Sequence, residues 1–385
     1  MIPYGRQEIT EADIDAVRAV LTSDYLTQGP AVGRFERALA EVTGAKYCIA
    51  SNSATSSLHN ACNALGVGPG DVVWTSPITF VASANCARYC GADIDFVDID
   101  ALSYTMSPER LEEKLQAAEK QGRLPKVVIP VHLAGQPANM PAIRALSERY
   151  GFKVVEDASH AIGGRIGDWP VGACQYSDIT VFSFHPVKIV TTGEGGAATT
   201  NDPVLARRMA LFNSHGITRD SAEMSKEPDG AWYYEQIALG YNYRMTDIQA
   251  ALGLSQMERL TDYVAKRHAI ARVYDEKLSG LPLITPWRSE EDYSGFHLYV
   301  IRLQLDKAKL SRRELFDYLR SRDILVNLHY IPVYRQPDFQ QFGLKPEDFP
   351  QSEAYYAEAI SLPLYPTMTA EQQDFVISTI REALA

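Results

Sequence analysis

Apolar and polar positions in the first two-thirds of the chain switch between two periods. Residues 10–21 carry apolar side chains at helical spacing, with Thr10 placed as cap and Asp13 three residues on, a carboxylate variant of the capping box. Residues 35–42 repeat the helical spacing and stop at Gly44. A short strand over 46–50 runs into Ser51-Asn52-Ser53-Ala54-Thr55, which opens a helix closed by Leu65 and Gly66. Strands predicted over 72–74, 94–98, 126–131 and 153–157 then alternate with helices over 81–89, 108–120 and 141–150. Strands separated by helices of about ten residues need right-handed crossovers, hence a mainly parallel sheet. Runs such as Val127-Val128-Ile129 are apolar without alternation, the pattern of strands covered on both faces.

The rhythm breaks between Asp178 and Thr200. Two β-rich runs, 179–184 and 196–200, are joined by a segment too short to hold a helix. Helices dominate after Asn201, with one long helix predicted over 246–278. A second α/β segment begins near Leu281, with strands over 298–303 and 325–327 and a helix over 312–320. The fold expected is α/β. A large domain over 1–262, its mainly parallel mixed sheet sandwiched by helices, precedes a smaller C-terminal α/β domain over 263–385.

Composition narrows the function classes. With 37 basic and 48 acidic residues the net charge is −11, which opposes broad binding to nucleic acid or anionic lipid, since both need a concentrated positive field. One anionic ligand held by a few aimed groups stays compatible. No apolar run approaches the roughly 18 residues of a membrane span. Met1-Ile2-Pro3-Tyr4-Gly5-Arg6 has no apolar stretch behind it of the kind a signal peptide carries. The five cysteines are odd in number and lack CxxC spacing; Cys86 and Cys90, one helical turn apart, read as small buried apolar residues. A soluble, cytoplasmic protein with no metal site, and with neither nucleic acid nor membrane among its partners, is therefore expected.

Three polar segments end strands, where open parallel sheets bind ligands. Ser53-Ala54-Thr55 follows a strand and opens a helix, so its backbone N–H groups and the Thr55 hydroxyl suit a phosphate; an ordinary N-cap would read the same. Glu156-Asp157-Ala158-Ser159-His160 puts two carboxylates at the end of the most apolar strand, open to catalytic, metal-binding or merely solvated roles. The third segment runs from Ser183, Phe184 and His185 to Gly196. There Lys188 lies among Val187, Ile189 and Val190. A lysine in apolar surroundings loses its proton more readily and becomes a nucleophilic amine able to form a Schiff base. A lysine reaching to water from a strand end is the alternative. Gly193-Glu194-Gly195-Gly196-Ala197-Ala198 matches a dinucleotide fingerprint formally but precedes a Thr-rich strand, not a helix. HExxH, GxxxxGK[ST] and GxSxG are absent, and the eight histidines are scattered.

A phosphate cup, then an aspartate, then a lysine, in that order, resembles the fold type I pyridoxal-phosphate enzymes. Within them the chain resembles the DegT/DnrJ/EryC1/StrS sugar aminotransferase family over nearly its whole length. Carrying that resemblance are Tyr25-Leu26-Thr27-Gln28-Gly29-Pro30, Thr79-Phe80-Val81-Ala82-Ser83 and the long, specific run from Gly240-Tyr241-Asn242-Tyr243-Arg244 to Gly253. The resemblance implies pyridoxal 5′-phosphate as cofactor, with pyridoxamine 5′-phosphate as the form that carries the amino group. It implies a catalytic set of Lys188, Asp157 and His160. Lys188 would form the Schiff base and move the proton, Asp157 would pair with the pyridinium nitrogen, and His160 would contact the 3-hydroxyl oxygen. Phe80 would lie on the ring face. Ala54, Thr55 and Ser183 would hold the phosphate, with Asn242 reaching in from a second subunit, so that a homodimer shares its active sites. Substrate contacts would come from Tyr4, Asp24, Tyr25, Leu26, Thr27, His185, His329, Tyr330, Ile331 and Pro332. Without the resemblance, Phe80, Tyr4 and His329 read equally well as packing residues.

His160 stands where most of the family carries Gln, and His185 also departs from the common pattern. Both resemble the branch of pseudaminic acid biosynthesis, which aminates the 4-keto group of a UDP-linked 6-deoxy-N-acetylhexosamine with L-glutamate as donor. The alternatives are an aminotransferase for another dTDP- or UDP-linked keto sugar, a dehydratase or desulfurase on the same fold, and a non-catalytic regulator. A dehydratase would carry His in place of Lys188, a desulfurase would need a cysteine beyond Cys174, and a regulator would need a basic DNA-binding segment.

Overall fold

Val154 and Val155 are neighbours in sequence yet belong to different cores, because successive side chains of a strand point to opposite faces. The computed structural model describes residues 1–384. Its central sheet has seven strands: β1 (Tyr47–Ser51), β2 (Val72–Thr75), β3 (Asp93–Phe96), β4 (Val127–Ile129), β5 (Lys153–Asp157), β6 (Ile179–Ser183) and β7 (Gly196–Thr200). Their spatial order is β1-β7-β6-β5-β4-β2-β3. β7 runs antiparallel to both neighbours, and every other adjacent pair is parallel.

The large-unit helices are α1 (Glu11–Leu21), α2 (Pro30–Thr43), α3 (Ala54–Ala64), α4 (Ala82–Tyr89), α5 (Pro108–Lys120), α6 (Met140–Tyr150), α7 (Pro203–Asn213) and α8 (Asp247–Met257). Phe35 and Leu39 of α2, Leu111 and Leu115 of α5 and Ile143 of α6 pack with Trp74, Val128, Val154 and Phe182 on one face of the sheet. Leu58 of α3, Ala84 of α4 and Met209 of α7 pack with Val73, Val127, Val155 and Val181 on the other. The result is the predicted α/β sandwich with a mainly parallel mixed sheet.

Two helices depart from the sequence pattern for reasons that lie far along the chain. α2 starts at Pro30, five residues before its apolar repeat, because the Asp247 carboxylate accepts the N–H groups of Gly29 and Ala31, each at 2.7 Å. The single helix predicted over 246–278 is two, α8 and α9 (Leu260–Lys277). Between them Arg259 leaves helical geometry (φ −106°, ψ 5°) and sets its Nη2 on the two oxygens of Asp13 at 2.7 and 2.8 Å. Asp13 accepts the Thr10 N–H at 2.9 Å as the capping pattern predicts, and is at the same time a buried tie between α1 and α8.

α9 contributes Tyr263 and Val264 to the sheet core and Ala271 and Tyr274 to a C-terminal cluster. That cluster is built on an antiparallel sheet of β8 (Leu283–Ile284), β9 (Tyr299–Leu303) and β10 (Ala359–Leu362), with α10 (Arg312–Ser321), α11 (Pro350–Glu358) and α12 (Ala370–Leu384) nearby. The strand predicted over 325–327 is Ile324–Leu325, which pairs in parallel with Ile2–Pro3 and so carries Tyr4 toward the large unit. Among the described residues no helix is long and apolar enough to cross a membrane.

Candidate active site

A cavity of about 540 Å³ opens where β1, β2, β5 and β6 end, the position at which parallel sheets present following helix N-termini to a ligand. Its floor is set by register. Gly196, the first residue of β7, is paired with Ser51 on one side and Ser183 on the other. A Cβ at Gly196 would overlap the backbone of Ser53 and Ala54, so glycine lets the start of α3 close over the sheet. Ser53 caps α3, its hydroxyl accepting the Ser56 N–H at 3.1 Å. Among the described residues the N–H groups of Ala54 and Thr55 find no acceptor, and both residues line the cavity with Ser183. Two open N–H groups at the start of a helix make an anion cup.

Asp157 ends β5 and is buried at the cavity wall. Ser83 donates its hydroxyl to Oδ2 at 2.6 Å, while the N–H and hydroxyl of Ser159 reach Oδ1 at 3.1 and 2.6 Å. The Ser83 hydroxyl is itself paired with that of Thr79 at 2.7 Å. The neighbouring Glu156 points the other way. It accepts from Ser177 (2.5 Å), Thr180 (3.1 Å) and His132 Nε2 (2.7 Å) and belongs to the fold.

Lys188 is half-buried in the turn after β6, its N–H donating to the His185 carbonyl at 2.9 Å. Burial pulls its ammonium down to about 8, against the opposing pull of Asp157. Near it stands His160. The N–H of Ala134 donates to Nδ1 at 3.2 Å, so the ring proton sits on Nε2 and donates to the Tyr330 hydroxyl at 3.1 Å. Burial and the charge of Lys188 hold this imidazole well below its usual pKa, hence neutral. His329 is buried too, its Nδ1 at 2.8 Å from the Ser361 hydroxyl and its pKa pushed down to about 3 by burial and then by Lys188. Burial likewise raises the phenols of Tyr330 and Tyr4.

Eleven of the residues singled out from sequence therefore line one cavity: Tyr4, Ala54, Thr55, Phe80, Asp157, His160, Ser183, His185, Lys188, His329 and Tyr330. Ile331 and Pro332 follow Tyr330 but do not line it. Nor do Asp24, Tyr25, Leu26, Thr27 or Asn242, all of which are exposed. The Leu26 carbonyl accepts the Asp247 N–H and Thr27 bridges to Thr246, whereas Asn242 bridges to Ser214 and its carbonyl accepts the Asn52 amide at 3.4 Å. His297 and Asn327 line the cavity without any prior signal, and Glu194, inside the quoted Ser183–Gly196 segment, joins them. Ser83 and Ser159 lay inside quoted motifs, and only their distance to Asp157 reveals them as its donors.

The DegT/DnrJ/EryC1/StrS aminotransferase family model matches residues 7–381. The chain belongs to that family. It is 38% identical over 384 residues to the spore coat polysaccharide biosynthesis protein SpsC of Bacillus subtilis, covering 99% of this chain and 96% of that one. The structure of PseC from Helicobacter pylori, an aminotransferase involved in the biosynthesis of pseudoaminic acid, superposes with a TM-score of 0.91 at 30% identity, covering 100% and 99% of the two chains. The sugar aminotransferase Spr1654 of Streptococcus pneumoniae in its PMP form gives a TM-score of 0.89 at 29% identity, covering 100% and 99%. The protein is thus a pyridoxal-phosphate-dependent sugar aminotransferase. The cavity fits that cofactor: open N–H groups for its phosphate, a carboxylate opposite, an amine of lowered pKa and an aromatic face at Phe80.

Proposed function

We propose that this aminotransferase moves the amino group of L-glutamate to C4 of a UDP-linked 4-keto-6-deoxy-N-acetylhexosamine, in pseudaminic acid or a related surface-glycan biosynthesis. The observation that carries the reading is that His160 and His185, the two residues that set the branch apart, both face the cavity. Likeness to PseC over the whole chain supports it.

Bound pyridoxal phosphate supplies an electron sink for the charge left when a substrate C–H bond breaks, and carries the amino group between donor and acceptor. The chain's own groups do the rest. The N–H groups of Ala54 and Thr55, with the hydroxyls of Thr55 and Ser183, would hold the phosphate. Asp157, oriented by Ser83 and Ser159, would pair with the ring nitrogen, and His160, held by Ala134 and Tyr330, would lie beside the 3-hydroxyl oxygen. Phe80 would cover one ring face. Lys188 Nζ takes and returns the proton. An amine poised at about 8 can do both near neutral pH. Tyr4, His185, His329 and Tyr330 meet the sugar, with Ile331 and Pro332 supporting their loop.

A panel of UDP- and dTDP-4-keto-6-deoxy sugars, assayed for amino transfer from glutamate, tests the substrate. Preference for the UDP-N-acetyl sugar is expected, and preference for a dTDP sugar lacking the N-acetyl group overturns the branch. A second reading, another nucleotide-linked keto sugar, draws support from the 38% identity to SpsC, and the same panel decides it. A dehydratase reading is opposed by Lys188 in the cavity.

Assembly is part of the proposal. Asp24, Tyr25, Leu26, Thr27 and Asn242 serve the site of a second copy, in a homodimer whose two sites are shared. Lys188→Ala and Asn242→Asp are each expected to be inactive, the second by like-charge repulsion of the phosphate. Random re-pairing of equal amounts makes half the dimers mixed, each with one intact site, so about a quarter of wild-type activity returns. Mixed dimers without recovered activity refute sharing. We further place the division between the two units near Asp262 in α9, and assign the protein to the cytoplasm, where its five free cysteines stay reduced.

A further inference from the structure

His297, two residues before β9, is buried, lines the cavity and lies with its ring 4.6 Å from that of His160. Its Nδ1 is buried without a hydrogen-bond partner. The backbone around it is held from two sides. Arg267 of α9, itself fully buried, donates Nη1 to the carbonyls of Phe296 (3.3 Å), His297 (3.0 Å) and Leu364 (3.0 Å). Against the other side packs Gly135, where a Cβ would stand 3.0 Å from the His297 nitrogen. A ring positioned this firmly in the cavity wall, with neither nitrogen hydrogen-bonded among the described residues, is equipped for a ligand, because a polar atom kept from water and left unpaired costs stability.

The charged and titratable groups that act most strongly on His297 are Lys188, His160, Arg267 and His329, and the carboxylates of Asp157 and Glu194 line the same cavity. Burial first, and then these neighbours, hold the imidazole well below its usual pKa. An aminotransferase of this kind meets two ligands of different charge in one place, an acidic amino acid and an uncharged sugar ring. A permanent guanidinium suits the first and is left unpaired beside the second. Here the guanidinium of Arg267 is turned onto three carbonyls, and an imidazole, whose charge is conditional, is presented instead.

We propose that His297 receives a carboxylate of the amino donor, taking a proton from solvent as the donor binds and returning it when the sugar takes the donor's place. This rests on the reading of the site as one that binds an acidic amino acid and a sugar in turn.

Glutarate, a dicarboxylate without an amino group, is the probe, since it binds without reacting. Calorimetric titration of the cofactor-loaded enzyme near pH 7, in two buffers of different ionisation enthalpy, counts protons taken up per glutarate. Wild type is expected to take up at least about half a proton, and His297→Asn to bind at least about tenfold more weakly with uptake near zero. Affinity for UDP is expected to be equal in the two. The cofactor absorbance, which reports a proton arriving at the Lys188 nitrogen, is expected to stay constant. Equal glutarate affinity and uptake in wild type and variant overturn the proposal, as does an absorbance change that accounts for the proton. Should His297→Asn not fold, wild-type glutarate affinity that falls as pH rises from about 6 to about 8 supports it, and a flat profile overturns it. Wild-type enzyme that ignores glutarate yet transaminates from a non-acidic donor overturns both this proposal and glutamate as donor. Binding without proton uptake overturns this proposal alone.

Discussion

Asp13 and Asp157 are both almost completely buried, 1% and 4% exposed. Asp13 is saturated: its oxygens take the Thr10 N–H, the Ser255 hydroxyl, the Gln256 amide and the Arg259 guanidinium. Its charge is matched by a cation and spent on joining α1 to α8 and α9. Asp157 is held by neutral donors, Ser83 and Ser159, and among the described residues no ammonium or guanidinium lies within salt-bridge distance of it. Lys188 feels its charge without pairing with it. The contrast separates a carboxylate tied into the fold from one whose charge stays open to the cavity. Neutral hydroxyls orient Asp157 and leave its field intact for whatever enters the cavity, whereas a bound arginine would cancel it.

The largest effect expected is that of Lys188→Ala. Transamination falls below detection, while the thermal midpoint of the cofactor-free protein near pH 7 stays level or rises. Burial lowers Lys188 from 10.5 to about 8, so the unfolded chain holds this proton over a window in which the folded chain has lost it. Wild-type stability therefore gains from this group as pH rises through that window, and below it the cost of the buried charge is complete. Melting curves at several pH values check both points, and a fall of many degrees near pH 7 would make Lys188 structural.

Asp157→Asn is expected to lower turnover by on the order of a hundredfold or more, as when one oriented electrostatic group is removed from an active site. Its melting temperature should move little, since the amide oxygen still accepts from Ser159 and the NH2 can donate to the Ser83 hydroxyl, which accepts as well as donates. Near-normal kcat would place Asp157 beside Asp13 as a structural group. Asp13→Asn is expected to do the reverse. Turnover per folded molecule holds, and stability drops by about 2 kcal/mol, because Arg259 loses its partner but remains partly exposed. The folded-state pKa of Asp13 is lowered, burial being outweighed by Arg259, Ser255 and the Thr10 N–H. Its stabilisation is therefore present above the usual carboxylate range and is lost as pH falls through the folded value. Denaturant titrations at pH 7 and in mild acid should show that acid-sensitive share missing from the variant. The smallest effect is Ser83→Ala, which removes one of the two hydroxyls orienting Asp157. A loss of about tenfold or less in kcat with little change in KM is expected, with recovery in Ser83→Thr. Unaltered kcat would mean that Ser159 alone orients Asp157.

Much of this was legible along the chain. The strands and helices that line up the cavity announce themselves by period, because burial on one or both faces is written into neighbouring residues. β5 and α5 have the bounds that their apolar repeats predict. Lys188, Asp157 and the Ala54-Thr55 cup stand out because each sits at a strand end amid residues of contrasting polarity. Other features carry no local mark. The start of α2 depends on a carboxylate 216 residues away. The break between α8 and α9 falls at Arg259, which is set on Asp13, a partner 246 residues earlier. His297 resembles any histidine before a strand until α9 and Gly135 fix it against His160.

Periodicity, turn chemistry and composition thus determined the layers, the mainly parallel sheet and the order cup, carboxylate, lysine, since these are interactions between residues a few positions apart. Only the tertiary structure decided which buried charges are neutralised and which are left free. That outcome depends on which side chains from distant segments arrive within about 3 Å, a distance that sequence spacing does not encode.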